Sequence, residues 1–381
     1  MKIGLVCPYN MALGGAVQEI VKESYDELKR RGHDVVILTP MPSQGRPDLP
    51  GYRIRYVGKA YDLRAIGTVA QVSMVTDSRE IDRFFAEERP DVLHVHEPWV
   101  PLMNQQVLKK APCPVVATFH AKLPESAAAN LIKTLGRVYT RPGIRRVNVC
   151  VAVSEPAAEH ISAVLNRPVP IIPNAVNLAE FAPPSKHILL AAGKKTLLYV
   201  GRLETRKGAA YLISAFKELH KNHPETRLVI GGKGPDMDML RAQATAEGTG
   251  AVEFLGYVED TEKKRLMQHA DLFVAPAIYG ESFGIILIEA LASGQVVVAG
   301  DNPGYRSVMK GFGKVSLVDP HDTAAFAAKL ETMLYDEKLR GDFQKWAHSE
   351  VRQYDYRVVT DKYEAIFTQL FEETHHDNET A

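Results

Sequence analysis

The sequence predicts an α/β protein made of two doubly wound parallel-sheet domains. Short apolar runs alternate with amphipathic helical segments almost from end to end, the pattern of parallel sheets covered by helices on both faces. That alternation breaks at Ile171 to Asn177, where Ile-Ile-Pro-Asn-Ala-Val-Asn brings turn-forming residues together, and then begins again. The length of 381 residues fits two or three ordinary domains, two being the simplest division.

In the first half the expected strands are Ile3 to Cys7, Val35 to Thr39, Asp91 to Val95, Pro114 to Phe119 and Asn148 to Val153. Val17, Ile20, Val21, Tyr25 and Leu28 recur at helical spacing after the first strand, and Gly32 supplies the stop. The break at Ile171 to Asn177 reads as a hinge. Beyond it, strands are expected at Thr196 to Gly201, Arg227 to Ile230, Asp271 to Ala275, Val296 to Ala299 and Val315 to Val318, with helices between. Tyr356 to Glu373 carries Val358, Val359, Tyr363, Ile366, Phe367, Leu370 and Phe371 on a broad apolar stripe that must dock on a partner surface. The expected domains are therefore 1–172 and 173–354, followed by a terminal segment 355–381.

Composition narrows the function classes. Hydrophobic residues make up 45% and charged residues 24%, the balance of a soluble globular chain rather than a disordered one. Lys plus Arg and Asp plus Glu both number 46, which argues against a whole-protein electrostatic grip on nucleic acid. Split by segment, residues 1–172 hold 22 basic and 17 acidic side chains, 173–354 hold 22 of each, and 355–381 hold 2 against 7. Lys133, Arg137, Arg141, Arg145 and Arg146 fall in a run from Ser126 to Ser154 without an acid. It reads either as a membrane-surface or phosphate-facing stripe or as a solvated helix face. Cys7, Cys113 and Cys150 are odd in number, widely spaced and set among apolar residues, so neither a disulfide framework nor a zinc site is expected. The first apolar run is too short for a signal peptide, and no stretch approaches the roughly 18 residues of a membrane span. The expected place is the cytoplasm, with any contact to the inner face of the cell membrane peripheral.

Several residues fall where chemistry is carried. Gly14 and Gly15 lie between the first strand and its helix, where backbone N–H groups can approach an anion; a simple turn would look the same. Arg202 and Lys207 follow the strand ending at Gly201, and two cations at the carboxyl end of a parallel strand suit a diphosphate. Gly231-Gly232-Lys233-Gly234 follows the next strand without the full dinucleotide fingerprint. Glu281 and Glu289 flank the turn at Phe283 and Gly284, and a carboxylate on an apolar helix such as Glu289 needs a polar partner, for which ribose hydroxyls are a candidate. His120 sits at a strand's carboxyl end, as a ligand contact or as a structural histidine. His94 and His96 share one face of a strand at a spacing that could mimic metal ligands, but without an evident third ligand no metal is expected. Asp236-Met237-Asp238 reads as a helix cap.

In this order and spacing, Gly14-Gly15, His120, the Arg202 to Lys207 turn and the Glu281 to Glu289 pair resemble glycosyltransferase family 4 with the GT-B fold, two Rossmann-like domains facing a central cleft. Leu5-Val6-Cys7-Pro8-Tyr9, Gly15-Ala16-Val17-Gln18, His94-Val95-His96-Glu97-Pro98, Thr118-Phe119-His120, Arg206-Lys207-Gly208, Gly280-Glu281-Ser282-Phe283-Gly284 and Tyr354-Asp355-Tyr356 look most like the bacterial phosphatidylinositol mannosyltransferases of that family. The resemblance implies retaining transfer of mannose from GDP-mannose to phosphatidyl-myo-inositol or a related lipid, without cofactor or metal. It implies that Arg202 and Lys207 stabilise the departing diphosphate, that Gly15 lets its loop approach the same phosphates, and that His120 contacts the sugar. Glu281 would bind donor-sugar hydroxyls and Glu289 the ribose, with Gly232, Phe283 and Gly284 beside the donor. Tyr9, Tyr61 and Arg64 fall where an inositol phosphate would lie. The terminal helix would cross back onto the first domain. The implied partners are a nucleotide-sugar and an anionic phospholipid or membrane surface, with the oligomeric state open. A family member using a UDP-sugar and another acceptor, a GT-B nucleotide-sugar epimerase and a nucleotide-sugar binding protein remain as alternatives. Two departures stand out: acids outnumber bases from Asp77 to Glu88, where lipid-acting members carry a basic helix, and Ala175 replaces the usual hinge glycine.

Overall fold

Lys2–Val6 forms the first strand, β1, at the centre of a seven-stranded sheet, and everything at the candidate site of this half of the chain is arranged around it. In the computed structural model the chain divides into two units, one of Met1–Ala175 with Tyr356–Ala381 and one of Val176–Asp355. The structure describes every residue except 44, 46, 48, 66, 67, 76, 121–141, 184–192, 247, 249, 380 and 381; of 62–65, 68–75, 160, 164 and 377–379 it describes the backbone alone.

The remaining strands of the first sheet are β2 (Asp34–Met41), β3 (Ile54–Ala65), β4 (Thr68–Val75), β5 (Val92–His96), β6 (Val115–Phe119) and β7 (Val149–Ala152), in the order β4-β3-β2-β1-β5-β6-β7. From β1 the chain winds outward to β4 and returns to β5 on the other side of β1, with Ile3 level with both Val35 and Val92. A switch point therefore lies at the carboxyl ends of β1 and β5, the place where open α/β sheets bind ligands. All pairs are parallel except β3 with β4. That hairpin is absent from the sequence expectations because Ile-Arg-Tyr-Val-Gly-Lys interleaves charge with apolar residues, unlike the unbroken apolar runs of a doubly covered parallel strand.

The second unit repeats the design with β8 (Lys195–Val200), β9 (Thr226–Gly231), β10 (Val252–Gly256), β11 (Leu272–Ala275), β12 (Val297–Gly300) and β13 (Leu317–Val318), all parallel, in the order β10-β9-β8-β11-β12-β13. Its switch point lies between β8 and β11. The edge strand β10 also escapes the sequence reading, since Glu253 and Leu255 face solvent and leave it with no continuous apolar run.

The helix Ala16–Arg30 buries Ile20, Val21, Tyr25 and Leu28 on the first sheet, and the apolar stripe of the sequence is its buried face. The long terminal helix Tyr356–Glu379 belongs to the same core: Tyr356, Val359, Phe367 and Leu370 pack with Ile3, Leu5, Val35, Val92 and Val116. Val358, expected on that stripe, instead stands 38% exposed, because the contacting face is narrower than the run of apolar residues. Arg31 fixes the helix laterally, donating to Asp361 Oδ1 and Glu364 Oε2, each at 2.6 Å, and to the Arg357 carbonyl at 2.9 Å. Among the described residues no helix is long and apolar enough to cross a membrane.

Each unit carries one tryptophan, Trp99 against Phe119 in the first and Trp346 against Phe343 in the second. Phe367 is fully buried, so Phe367→Ala removes about 3–5 kcal/mol from the first unit. In urea titrations followed by fluorescence, the Trp99 transition, read in a Trp346→Phe background, is expected to move to lower denaturant. The Trp346 transition, read in Trp99→Phe, is expected to stay in place.

Candidate active site

In the second unit, charge gathers at the switch point. The turn after β8 supplies Arg202, Glu204, Arg206 and Lys207, and the loop after β11 supplies Glu281. Lys207 Nζ donates to Glu281 Oε1 at 2.6 Å and Arg206 Nη1 to the same oxygen at 3.0 Å. Arg206 Nε donates to Glu204 Oε2 at 3.1 Å, and Arg202 Nη2 stands 2.5 Å from Glu204 Oε1. Three cations thus share two carboxylates, leaving the group one positive charge in excess. The backbone holds the two segments together: the Ile278 N–H donates to the Arg206 carbonyl at 2.9 Å, and the Tyr199 hydroxyl donates to the Arg202 carbonyl at 2.9 Å.

Gly232 follows β9 at φ 137, and a Cβ there would lie 1.8 Å from the Gly201 carbonyl oxygen, so only glycine lets the loops after β8 and β9 touch. Gly284, at φ 113, starts the helix Ile285–Ala292 with the ring of buried Tyr305 where a side chain would go. Phe283 is buried, its ring 5.9 Å from that of Tyr354. Glu289, one turn into the helix, is 12% exposed at its side chain and accepts from Lys263 Nζ at 3.0 Å. Burial pushes its carboxyl upward and the Lys263 ammonium opposes that push. The polar partner that its place on an apolar helix demands is therefore a lysine of this chain.

In the first unit three histidines gather near the other switch point. His94 and His96 lie on one face of β5, ring centroids 4.2 Å apart, and His120 follows β6. His94 Nε2 and Thr118 Oγ1 are hydrogen-bonded at 2.7 Å, and the Thr118 hydroxyl meets the Tyr363 hydroxyl at 3.0 Å. His96 Nδ1 lies 2.9 Å from His120 Nε2, and His120 Nδ1 lies 3.0 Å from Asn174 Oδ1. The His120 N–H donates to Glu97 Oε1 at 3.1 Å. Burial pushes His94 down to about 3, His120 down to about 4 and His96 well below its ordinary value, so all three are neutral near pH 7. Among the described residues, no group of three or more His, Cys, Asp or Glu is arranged to hold a metal ion.

Comparison with known proteins agrees with this layout. The glycosyltransferase family 4 profile matches residues 14–180, and the profile of glycosyl transferases group 1 matches 184–349. A phosphatidyl-myo-inositol mannosyltransferase of Mycolicibacterium smegmatis is 36% identical over 362 residues, covering 94% of this chain and 92% of its own. One from Mycobacterium tuberculosis H37Rv is 34% identical over 373 residues, covering 96% of each. The chain belongs to glycosyltransferase family 4. Among solved structures, sucrose-phosphate synthase of Thermosynechococcus elongatus superposes with a TM-score of 0.77 at 18% identity, over 98% of this chain and 99% of that one. Anabaena Alr3699/HepE in complex with UDP and glucose gives 0.76 at 17%, over 97% and 99%. The fold is GT-B, each unit one of its Rossmann-like halves.

The other site residues of this glycosyltransferase are dispersed. Gly15 caps the helix Ala16–Arg30, and a side chain there would meet the Gln18 amide. Tyr9 follows β1 and is half-buried; burial, with Glu97 nearby, pushes its phenol well up. Tyr61 stands 47% exposed on β3, two strands from β1 and so about 10 Å away across the sheet. Arg64 pairs with Val69 in the hairpin, and its side chain lies outside the described residues. Lys133, Arg137 and Arg141 of the basic run also lie outside them, while Arg145 and Arg146 are exposed. Asp236 accepts from the Thr205 hydroxyl at 2.8 Å. Glu204, Arg206, Lys263 and Asn174 enter the site without a sequence signal of their own, apart from the Arg206-Lys207-Gly208 triplet.

The buried imidazoles set a pH dependence. Their folded-state pKa values lie below the ordinary 6.5, so the unfolded chain takes up protons that the fold refuses, and stability is lost as pH falls from about 6.5. The loss down to about pH 5 comes to roughly 2 kcal/mol for each buried imidazole. Urea titrations of the Trp99 transition across that window are expected to show it, with His94→Gln reducing the slope by about one imidazole's share.

Proposed function

We propose that this glycosyltransferase transfers a mannosyl residue from GDP-mannose to phosphatidyl-myo-inositol or a related lipid, with retention of anomeric configuration. The relatives that bear that name match it at 36% and 34% identity over nearly the full chain. The observation that carries the reading is the cationic group at the switch point between β8 and β11. Arg202 and Lys207 stabilise the diphosphate as negative charge develops on its departure, a preorganised electrostatic contribution. The excess positive charge of the group is compensated by the diphosphate itself.

Glu281 is one of the two carboxylates among these cations, and Arg206 and Lys207 already hold one of its oxygens. A carboxylate so engaged is a poor nucleophile and a good acceptor for sugar hydroxyls. We therefore assign it to donor binding and take the reaction as front-face attack: the acceptor oxygen bonds to the anomeric carbon as the bond to the diphosphate breaks, and the leaving phosphate receives the hydroxyl proton. Glu289, with Lys263 on one oxygen, keeps the other for ribose. Gly15, Gly232, Phe283 and Gly284 border the donor, His120 adjoins the sugar, and Tyr9, Tyr61 and Arg64 receive the inositol phosphate. Arg145 and Arg146 are the described part of the basic run that draws the protein to an anionic bilayer.

A screen of nucleotide-sugars with phosphatidylinositol vesicles tests the reading. Labelled mannose should reach lipid from GDP-mannose, and the α product should keep the donor's configuration. Transfer from UDP-sugars alone would reject the donor assignment. Lys207→Ala is expected to lower kcat/KM by about 10²–10³ with its folding transitions unchanged.

A further inference from the structure

The loop that carries Glu281 runs from the end of β11 to the helix Ile285–Ala292, and a buried amide ties it to the neighbouring strand end. Asn302 follows β12 and is 1% exposed. Its Nδ2 donates to the Ala277 carbonyl at 2.9 Å and, more weakly, to the Gly300 carbonyl at 3.4 Å. Its Oδ1 accepts from the Tyr305 N–H at 3.0 Å and so caps the short helix Pro303–Arg306. The partners are backbone groups, so they decide which end of the amide is which: a carbonyl only accepts and an N–H only donates. Ala277 and Tyr305 are themselves buried, and a side chain unable to make both bonds would leave a buried carbonyl and a buried N–H unpaired. Two glycines let the backbones touch at the same place. A Cβ on Gly300 would lie 2.2 Å from the Ala277 carbonyl oxygen, and one on Gly304 would lie 2.2 Å from the Glu281 carbonyl oxygen. On the other side, the Ile278 N–H is bound to the Arg206 carbonyl. Successive residues of the loop are thus tied to two different strand ends, after which Tyr279 turns 60% exposed and Gly280, at φ 76, passes Arg206.

We propose that Asn302 is a positioning residue for Glu281. By pinning the Ala277 carbonyl and capping the turn at Tyr305, it keeps Gly304 against the Glu281 peptide and so sets where the carboxylate meets the donor sugar. Lys207 and Arg206 fix the far end of the same side chain. The hydrogen bonds of Asn302 go to the segments after β11 and β12 rather than to the turn after β8, where Arg202 and Lys207 await the diphosphate. Steps that involve the sugar therefore depend on Asn302, and binding of a nucleoside diphosphate without sugar does not. This kinetic consequence, though not the clamp itself, rests on the proposed role of Glu281 beside the sugar.

Asn302→Asp keeps an acceptor for the Tyr305 N–H but sets a carboxylate oxygen against the Ala277 carbonyl. Gly304→Ala leaves the amide in place and pushes on the Glu281 peptide directly. Hydrogen exchange of the whole chain, read by mass spectrometry on peptides spanning 276–284, is expected to speed up about tenfold or more in Asn302→Asp, with the loop at 231–236 unchanged. Unchanged exchange at 276–284 overturns the clamp, whatever Glu281 binds. In the transfer assay both variants are expected to lower kcat/KM for GDP-mannose about tenfold or more, while the Kd for GDP weakens by no more than about twofold. The UDP pair takes their place if the donor screen selects it. Equal losses for donor and diphosphate would reject a positioning role. In a Glu281→Gln background Asn302→Asp is expected to cost less than about twofold further, because it acts through the carboxylate already removed, and full additivity overturns the proposal. An intact rate in Glu281→Gln alone would reject the sugar assignment and the kinetic consequence with it, while the exchange rates decide the clamp separately. If Asn302→Asp fails to fold, Gly304→Ala carries the same readings.

Discussion

The first unit depends on a helix that comes after the whole of the second unit in sequence. Without Tyr356–Glu379 the core around β1 would lack Tyr356, Val359, Phe367 and Leu370, and the rings of His94 and Tyr363 would lose their 4.6 Å contact. Burial of these apolar side chains, each contributing about 1.5–3 kcal/mol, supplies the docking energy. The ion pairs of Arg31 with Asp361 and Glu364 contribute less, since partly exposed pairs are worth about 1 kcal/mol or below. They set the register of the helix on the helix Ala16–Arg30. Register matters here because Tyr363 must meet Thr118, and Thr118 must meet His94. The acidic terminal segment and the basic first domain noticed in the charge count thus meet at specific side chains rather than as diffuse charge.

The two switch points use opposite electrostatics. In the second unit charges are kept, paired and partly open: Arg202 is 47% exposed at its side chain, and Lys207 and Arg206 keep about a fifth of theirs. An arrangement of fixed cations with an excess over carboxylates suits an anion that arrives from solvent and leaves again. In the first unit charge is refused. Three imidazoles are packed where protonation is costly, and their polarity is spent on one another, on Thr118 and on Asn174.

The repeated strand–helix alternation was legible because both sheets are covered on both faces, so their central strands had to be continuous apolar runs. Of the strands that escaped, β3 interleaves charge with apolar residues, β4 breaks its apolar run with Thr68, Gln71 and Ser73, and β10 turns Glu253 and Leu255 to solvent. Strand ends singled out Arg202, Lys207 and His120 by sequence alone, and the turn opening an apolar helix singled out Glu281. Pairing could not be read the same way. Glu289 showed by its apolar helix that it needed a polar partner, but Lys263 lies 26 residues upstream on a separate helix. Glu204 is one acid in a basic turn, and only the fold shows it between two arginines. Val358 erred in the other direction, since an apolar stripe fixes which side of a helix is buried but not how wide the contact is.

The histidines show why spacing alone misleads. His94 and His96 alternate on β5 as metal ligands might, and a third histidine comes from the neighbouring strand β6. A metal would need lone pairs converging on one point. Here His120 Nε2 and His96 Nδ1 face each other at 2.9 Å, a distance that only a shared proton makes favourable, and His94 Nε2 turns away to Thr118. The register of β5 against β6, with His94 level with Val116 and His96 level with Thr118, puts His120 two residues beyond the partner of His96 and so beside the His96 ring rather than across from it. Strand register therefore decides between coordination and a hydrogen-bonded chain. Because that register is fixed by apolar residues buried in the sheet, the same packing that makes the fold legible also sets these rings side by side.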